Sequence, residues 1–361
     1  MRLYDNTKVA LIYDRVNKWG GAERTLQVFF EMFPNATLYT SLYDKKVAIW
    51  ARRFVKVTPS RLNSFPALRN KHQYLGVLMP LVFESHALDR YDLVISVTSE
   101  SAKGVITSPD TLHICYCLTP TRYLWSHYDT YFSSKILKSI SNPAVKYLKR
   151  WEAVASQRPD EIVAISSAVQ KRILDYYGRQ SRVIHPPLSL EKVANKRTKD
   201  SFYLLVGRLV GYKKAEIVVK AFNILNEPLV VVGKGSEESS LKRIASGNIT
   251  FKKDLSDTQL SELYLSAKAL IFPQEEDFGL VAIESISHGT PVIAYGRGGI
   301  LDIITDKRSG ILFDDQSVEG VVSAVKHFQR LAFDSTIVSQ DAKKFSKNRF
   351  KEKFFKLIKE L

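Results

Sequence analysis

Short apolar segments alternate with longer amphipathic segments along nearly the whole chain, and this alternation is the feature that most limits its fold. Twelve apolar segments are rich in β-branched or aliphatic residues, and we predict a strand at each: Lys8–Tyr13, Thr37–Leu42, Leu93–Val97, His113–Leu118, Glu161–Ile165, Arg182–Ile184, Phe202–Val206, Leu229–Val232, Ile249–Phe251, Ala269–Phe272, Pro291–Ala294 and Gly310–Phe313. Helical patterns lie between them: Ala22–Met32, Ala144–Ser156, Ala215–Asn226, Asp257–Ser266 and Val318–Gln329. Because many of these strands are apolar throughout, we predict an α/β protein whose parallel sheets are covered by helices on both faces.

The composition changes once, at His185-Pro186-Pro187 and the charged stretch that follows. We interpret residues 186–200 as a linker between an N-terminal domain, 1–185, and a C-terminal domain, 201–345. Residues 346–361 form a predicted amphipathic helix, with lysines opposite an apolar face of Phe350, Phe354, Leu357 and Leu361. This helix either docks on a domain, the N-terminal one being our candidate, or lies on a membrane.

The chain is 361 residues long with a net charge of +16, which favours anionic partners. Its 45% hydrophobic content is that of an ordinary globular protein. Cys115 and Cys117 are too close in sequence for an easy disulfide, and no zinc-ligand cluster surrounds them. No segment approaches the ~20 apolar residues of a membrane-spanning helix. We therefore expect a cytoplasmic protein, either soluble or peripheral on the inner face of the membrane.

The loops that follow the strands are the first place to look for a site, because ligands of open α/β sheets bind beyond the carboxyl ends of the strands. After Phe202–Val206, Gly207 permits a sharp turn, and Arg208 and Lys213 are placed to converge on a diphosphate. The alternative is that both cations are simply solvated. After Leu229–Val232, Gly233 begins a Gly-Lys-Gly sequence that is either a phosphate cradle or a tight turn.

An acidic loop followed by an apolar helix is the most informative segment. Glu275, Glu276 and Asp277 precede Gly279, which opens the helix. The free N–H groups of a helix start favour an anion, and a glycine there permits close approach to the backbone. Eight residues of helix would separate Glu276 from Glu284 by about 12 Å, so these carboxylates suit contacts with separate hydroxyl groups of one ligand better than paired acid–base catalysis.

Together with Gly20-Gly21-Ala22-Glu23, these motifs resemble family 4 of the retaining nucleotide-sugar glycosyltransferases. The chain is most similar to bacterial mannosyltransferases of surface polysaccharide, O-antigen and lipopolysaccharide synthesis, whose donor is commonly GDP-mannose. The resemblance implies the GT-B fold, in which two Rossmann-like domains with parallel sheets face each other across a cleft. It implies that the acceptor binds mainly in the N-terminal domain and the donor in the C-terminal domain.

The resemblance also implies roles for the site residues. Arg208 and Lys213 would bind the donor diphosphate and stabilise it as it leaves, and Glu276 would contact hydroxyl groups of the transferred sugar. Glu284 would contact the ribose. The remaining predicted donor-binding residues are Gly20, Gly21, Gly207, Gly233, Phe278, Gly279, Leu280 and Val281. Gly20 and Gly21 have an alternative interpretation as an ordinary helix start.

Three features bear on the chemistry. The chain contains no Asp-x-Asp sequence, so we expect neither a metal nor another cofactor, and the donor is a substrate. Leu118 stands where many relatives have a histidine near the reacting sugar, so we assign no catalytic histidine. Phe251-Lys252-Lys253 lacks a glycine that relatives usually have, which leaves the base unassigned and keeps UDP- and dTDP-sugars as alternative donors.

The acceptor is expected to be a glycan, with a polyprenol-linked glycan as the main candidate. Trp50–Lys56 and Arg61–His72 are basic, and Tyr74–Phe83 is apolar. The apolar stretch is either a buried helix or part of a basic and aromatic surface on an anionic membrane. There are two alternative functions. One is an epimerase, for which the sequence offers no motif that would place an acid–base pair beside the sugar ring, and the other is a non-catalytic polyanion-binding protein. We expect no nucleic-acid partner. A nucleic-acid binder would bind polyanions with steep salt dependence and ignore free nucleotides, whereas a transferase would be stabilised by a nucleoside diphosphate.

Overall fold

A computed structural model describes residues 7–65, 75–126, 128, 134–188 and 202–361. The internal contacts divide the chain into two compact units. The first unit is Met1–His185 together with Lys351–Leu361, and the second unit is Pro186–Phe350. Most of the predicted linker, 189–200, lies outside the described residues.

The first unit contains a seven-stranded sheet in which every pairing is parallel. Its strands are β1 (Val9–Tyr13), β2 (Thr37–Thr40), β3 (Lys56–Pro59), β4 (Leu93–Thr98), β5 (Leu112–Cys117), β6 (Glu161–Ala164) and β7 (Arg182–Val183). They lie in the order β3-β2-β1-β4-β5-β6-β7. The helices are α1 (Gly21–Met32), α2 (Met79–Glu84), α3 (Lys135–Ala155) and α4 (Ser167–Tyr177). All residues of β1 and β4 are buried, as expected for central strands covered on both faces.

The second unit contains a six-stranded parallel sheet. Its strands are β8 (Tyr203–Val206), β9 (Leu229–Val232), β10 (Ile249–Lys252), β11 (Leu270–Phe272), β12 (Val292–Tyr295) and β13 (Gly310–Phe313). The order β10-β9-β8-β11-β12-β13 is that of a Rossmann fold. The helices are α5 (Ala215–Leu225), α6 (Glu238–Ile244), α7 (Asp257–Ser266), α8 (Leu280–Ser287), α9 (Val318–Phe328) and α10 (Ser335–Asp341), and α11 (Lys347–Glu360) continues into the first unit.

The predicted fold class is confirmed: both sheets are parallel, and all twelve predicted strands are present within a residue or two of their predicted bounds. Strand β3 was missed. Its sequence, Lys-Val-Thr-Pro, is neither apolar nor well buried, because it forms the edge of the sheet. Helix α3 begins at Lys135 rather than at the predicted Ala144, since the side chains of its first residues are largely exposed and leave no buried apolar pattern in the sequence.

The C-terminal helix α11 packs its apolar face inward. Phe350, Phe354 and Leu357 are buried, whereas Leu361 is exposed. Within the first unit, the Phe354 ring lies 4.8 Å from that of Phe29 on α1, and Lys351 pairs with Glu31 at 2.7 Å. Three of the four apolar side chains of the predicted face are therefore buried in protein contacts rather than available to lipid.

Two further sequence features have a direct structural counterpart. Cys115 and Cys117 are buried on β5 and are both free thiols. Among the helices of the described residues, none combines the length and the apolar character needed to cross a bilayer.

Candidate functional site

Two loops of the second unit leave the sheet at its carboxyl edge, side by side. Strands β8 and β11 are neighbours at the centre of the sheet, and the strand order reverses between them. A reversal of this kind opens a crevice in which α/β proteins bind ligands. The two loops are residues 207–214, after β8, and residues 273–279, after β11.

The loop after β8 gathers two cations around one aromatic ring. Gly211–Lys213 form a 3₁₀ turn, which ends at Lys214 in the left-handed region with φ of 56°. Arg208 Cζ lies 5.7 Å and Lys213 Nζ 5.5 Å from the centre of the Tyr212 ring. Arg208 also donates a hydrogen bond to the Tyr212 hydroxyl. Tyr212, which the sequence analysis did not single out, therefore holds both predicted diphosphate-binding side chains at one place.

An ion pair joins the two loops. Lys213 Nζ contacts Glu276 Oε1, although 62 residues intervene in the sequence. The Lys213 and Glu276 side chains are 17% and 19% exposed, so they are largely shielded but reachable. Buried Gln274 donates a hydrogen bond of 2.9 Å to the same carboxylate oxygen. Two of the three predicted catalytic residues are thus in direct contact.

The acidic loop is held by a glycine pair in the following segment. The Gly299 N–H donates to the Glu276 carbonyl at 2.8 Å. A Cβ on Gly298 would collide with that carbonyl, and a Cβ on Gly299 would collide with the backbone at Asp277. Gly298 also has φ of 78°, which an L side chain rarely adopts. Only glycine at both positions allows the Glu276 backbone to lie where it does.

Helix α8 begins directly after the acidic loop. Gly279 precedes it with φ of 122°, and the buried Phe278 ring packs 5.7 Å from Phe345, which anchors the helix start in the core. The Leu280 and Val281 N–H groups open the helix, where backbone donors have no intrahelical partner. The predicted backbone donors are therefore at a helix N-terminus, where an anion is favoured.

Glu284 lies one turn into α8 and is 7% exposed. The Tyr264 hydroxyl, from α7, donates to its Oε2 at 3.1 Å. Glu284 and Glu276 thus have different partners and are not a matched carboxylate pair. That the two carboxylates contact separate hydroxyl groups of one ligand stays a prediction.

The Gly-Lys-Gly sequence after β9 packs against the loop after β8. A Cβ on Gly233 would collide with the Gly207 carbonyl, and one on Gly235 would collide with the Leu209 carbonyl. The Leu209 N–H donates to the Lys234 carbonyl at 2.8 Å. Close backbone packing therefore explains why glycine is needed at both positions without any ligand, and the tight-turn interpretation accounts for them. The donor-binding role of Gly207 and Gly233 stays a prediction.

In the first unit, Gly20 and Gly21 lie between β1 and α1, where the sequence placed them. Gly20 is the N-cap of α1 and has extended backbone, and Gly21 is its first residue. A Cβ on Gly20 would lie 3.2 Å from Glu23 Oε2, and Glu23 is buried against the Tyr13 hydroxyl. The glycine thus leaves room for a buried carboxylate at the start of the helix.

Asp14 organises the central edge of the first sheet and was missed from the sequence. Its buried carboxylate follows β1 and accepts hydrogen bonds from Thr98 Oγ1, at 2.9 Å, and from backbone N–H groups of the segment after β4: Ser99, Glu100 and Ala102. The loops after β1 and β4 are thereby fixed to each other at the point where the strand order reverses. An aspartate directly after an apolar strand is the signal that would have revealed it.

An ion pair between the loops of the first unit lies beside Asp14. Arg15 and Glu100 pair side by side through both guanidinium nitrogens. Burial raises the pKa of Glu100 despite the opposing effect of Arg15. This charged group marks the carboxyl edge of the first sheet as a polar surface.

A buried ion pair supports the segment that follows β5. Lys103 and Glu152 are 0% and 1% exposed, and their Nζ and Oε1 atoms are 2.6 Å apart. Burial alone would lower the pKa of Lys103, but the Glu152 carboxylate more than offsets this and raises it. Glu152 also accepts hydrogen bonds from Thr121 at 2.6 Å and Trp125 at 2.6 Å. The pair therefore fixes the chain just beyond Leu118.

No group of three or more potential metal ligands of the His, Cys, Asp or Glu type occurs in the described ranges. Of the proposed membrane surface, 66–74 lie outside the described residues. In its described parts, Phe54 and Phe83 are buried, whereas Val55 and Leu81 are 76% and 64% exposed. The apolar stretch is therefore neither wholly core nor wholly surface.

Among known protein families, the one described as glycosyl transferases group 1 has a model that matches residues 189–349 of this sequence. An uncharacterised glycosyltransferase of Haemophilus influenzae is 26% identical over 217 residues, which cover 56% of this chain and 58% of that protein. The sulfoquinovosyl transferase of Arabidopsis thaliana is 30% identical over 177 residues, 46% of this chain and 35% of the relative. The chain thus spans between a third and three fifths of the length of these two relatives.

Among solved structures, the Anabaena protein HepE in complex with UDP aligns with a TM-score of 0.71 at 16% identity, covering 98% of this chain and all of that one. At this identity the likeness concerns the fold, which is that of GT-B glycosyltransferases. The chain therefore has the GT-B fold, and its residues 189–349 are similar to the glycosyl transferases group 1 family.

Proposed function

We propose that this protein is a retaining glycosyltransferase that moves a hexose from a nucleotide sugar onto a glycan acceptor. Mannose from GDP-mannose is the first candidate, and surface polysaccharide or lipopolysaccharide synthesis is the proposed setting. The observation that carries the proposal is the ion pair of Lys213 with Glu276, formed beside the N-terminus of α8 at the reversal point of the second sheet. At that point the carboxylate proposed to contact the sugar, a cation proposed to bind the diphosphate and a helix N-terminus that favours anions lie next to one another.

The cations supply charge stabilisation where a diphosphate leaves. As the bond from the sugar's anomeric carbon to the phosphate oxygen breaks, negative charge grows on the diphosphate. Arg208, Lys213 and the N–H groups of Leu280 and Val281 oppose that charge, and preorganised donors of this kind are the largest catalytic contribution in many enzymes. With these groups in place no metal or other cofactor is required by the proposal.

The proposed displacement keeps atoms and protons balanced. The acceptor oxygen forms its bond to the anomeric carbon on the face from which the diphosphate departs, so configuration is retained. The acceptor's hydroxyl proton moves to the departing phosphate oxygen. Glu276 orients the sugar through its hydroxyl groups, and no side chain is assigned as a covalent nucleophile.

Glu284 is proposed to accept hydrogen bonds from the ribose hydroxyls. Its carboxylate is nearly buried and is oriented by the Tyr264 hydroxyl, so little side-chain entropy is lost on binding. The base of the donor is unassigned, and GDP, UDP and dTDP are all candidates for its nucleotide. That the Anabaena protein is described with UDP makes a uridine donor the second candidate.

The proposed acceptor is a polyprenol-linked glycan, and an anionic membrane surface on the cytoplasmic side is a proposed partner. A non-catalytic polyanion-binding protein is the competing function, supported by the net charge of +16 and by Leu118 in place of a histidine. The two differ in one respect: only the transferase turns over a nucleotide sugar.

Donor turnover tests the proposal. The full chain is incubated with GDP-mannose, UDP-glucose, UDP-galactose and dTDP-glucose, with and without EDTA, and release of nucleoside diphosphate is followed by chromatography. We expect release from one donor class, unchanged by EDTA and absent in Lys213→Ala. Release from none of them, together with binding of heparin, would favour the polyanion-binding alternative.

A further inference from the structure

Helix α3 of the first unit presents an apolar face that the described residues leave exposed. Ile136, Ile140, Tyr147 and Val154 are 72%, 73%, 44% and 61% exposed. Successive residues of a helix are offset by about 100°, so these four side chains fall within about 40° of one another. They extend over about 27 Å of helix. We call these four residues the α3 face.

The opposite side of the same helix is ordinary core. Val145, Leu148 and Glu152 are buried, and Val145 and Leu148 pack with Leu124. The helix thus packs into the core through this opposite side, so packing within the first unit does not account for the apolar residues of the α3 face. Large exposed apolar patches of this kind mark interaction sites rather than random surface.

The charged side chains that helix α3 itself exposes to solvent are all of one sign. Helix α3 contains five cations, Lys135, Lys138, Lys146, Lys149 and Arg150, of which Lys135, Lys146 and Arg150 are exposed. Its single acidic residue is Glu152, which is buried and paired with Lys103. Towards solvent the helix is thus apolar and cationic, with no carboxylate.

The neighbouring segment continues this character. Glu84, at the end of α2, accepts a hydrogen bond of 2.7 Å from Trp151 on α3, so the two elements lie side by side. Leu81 on α2 is 64% exposed, and Val77 and Leu78, in the turn just before α2, are 43% and 42% exposed. More apolar surface is therefore available on the element adjacent to α3.

We propose that the α3 face lies on an anionic lipid bilayer, with its isoleucines in the headgroup and acyl boundary and its cations on the lipid phosphates. An amphipathic helix with cationic flanks binds in this way, parallel to the surface. The inference rests on the proposed lipid-linked acceptor and names the surface that would bring the enzyme to it. A second copy is disfavoured as the occupant because two such cationic helices would repel, and nucleic acid would leave the isoleucines in water.

Vesicle co-sedimentation of the full chain tests this. We expect binding to vesicles of phosphatidylcholine mixed with phosphatidylglycerol, weak binding to phosphatidylcholine alone, and loss of binding at high salt. Ile136→Gln/Ile140→Gln should weaken binding at least about tenfold, because the buried apolar area is lost. Lys146→Ala/Arg150→Ala should weaken it only on the anionic vesicles.

The matched control is Ile224→Gln, at a similarly exposed isoleucine (66%) on α5 of the second unit, which should bind as the unchanged protein does. Thermal unfolding and nucleoside diphosphate binding, measured on every variant, separate this proposal from folding and from the proposed function. Equal sedimentation of the Ile136→Gln/Ile140→Gln variant and the control would overturn the proposal. So would a concentration-dependent dimer that this variant abolishes.

Discussion

Lys213 and Glu276 form an ion pair that ties the loop after β8 to the loop after β11. The pair exists because the two strands are sheet neighbours, with Leu204 opposite Leu270, so their carboxyl ends emerge together. A cation assigned to the diphosphate is thereby placed within contact distance of a carboxylate assigned to the sugar. In the proposed reaction, we expect the linkage that breaks to lie between those two groups.

Replacing Lys213 by alanine should reduce donor turnover strongly. Loss of one preorganised charge-stabilising group costs about 10²–10³-fold in kcat. Lys220→Ala is the matched control, because Lys220 is an exposed lysine on the following helix α5 that pairs only with surface Glu216 in the contacts described. Steady-state release of nucleoside diphosphate measures both. Equal rates for the two variants would remove Lys213 from the chemistry.

Replacing Glu284 by glutamine should weaken nucleoside diphosphate binding. Hydrogen bonds to a charged group contribute about 1.5–3 kcal/mol each, so we expect a rise in Kd of about tenfold or more. If the carboxylate contacts the ribose, the loss should be smaller for a 2′-deoxynucleoside diphosphate. Calorimetric titration of both proteins with both ligands forms a double-mutant cycle. Purely additive losses would place Glu284 away from the 2′-hydroxyl.

Replacing Gly279 by alanine should both destabilise the second unit and weaken anion binding at α8. Gly279 has φ of 122°, and a Cβ there would lie 3.2 Å from Phe272 and 3.3 Å from Ile303. Holding a non-glycine residue in such a conformation costs on the order of 1–3 kcal/mol. Gly247→Ala is the control, since a Cβ at Gly247 meets nothing within 4 Å. Thermal unfolding should separate the two variants, and similar midpoints would argue against strain at Gly279.

The buried pair of Lys103 and Glu152 should behave as one unit. Lys103→Met leaves a buried carboxylate without its cation, which costs about 3–5 kcal/mol. Adding Glu152→Gln should recover part of that loss, because the uncompensated charge is removed. Urea unfolding of the two single variants and the double variant measures the coupling. If the double variant lost the sum of the single effects, the two residues would not be energetically coupled.

Lowering the pH should destabilise the first unit, and the loss should begin at pH values above those at which carboxylates titrate. Burial lowers the pKa of His86 to about 4, and burial together with Arg158 lowers that of His113 to about 3, from an ordinary value of 6.5. The unfolded chain then binds more protons than the folded one between these values. The stabilisation is therefore fully present above about pH 6.5. As the pH is lowered below this value, the free energy of unfolding decreases by about 1.4 kcal/mol per pH unit for each histidine.

The variant His86→Phe tests this linkage. His86 packs on the rings of Tyr39 and Phe83, and its buried Nε2 has no hydrogen-bond partner within the described residues, so phenylalanine keeps the packing. Unfolding midpoints measured between pH 7 and pH 5 should decline less steeply in the variant. Parallel profiles would show that His86 is not a source of the acid sensitivity.

The sequence predicted the architecture well because apolar strands and amphipathic helices are local patterns. It also placed Arg208, Lys213, Glu276 and Glu284 on the correct elements, because strand ends can be recognised without knowing the strand order. It could not predict that Lys213 meets Glu276, since that contact depends on β8 lying beside β11.

Features that depend on burial could not be predicted from the sequence either. Lys103 resembles any solvated lysine in the sequence, yet it is fully buried on a carboxylate that lies 49 residues away. Isoleucine is typical of a protein core, yet Ile136 and Ile140 are exposed, because helix α3 buries its other side. Asp14 is an intermediate case. Its place directly after β1 is visible in the sequence, but its four hydrogen-bond partners come from the last residue of β4 and the segment that follows it.

The carboxyl ends of β8 and β11 are proposed to bind a nucleoside diphosphate. Thermal unfolding of the full chain with GDP, UDP, dTDP and ADP tests this most directly. We predict that one of them stabilises the protein, by about 2.7 kcal/mol at a hundred times its Kd, and that Lys213→Ala and Glu284→Gln reduce this shift while Lys220→Ala does not. Unchanged unfolding with all four ligands, or an equal shift in all three variants, would contradict the account.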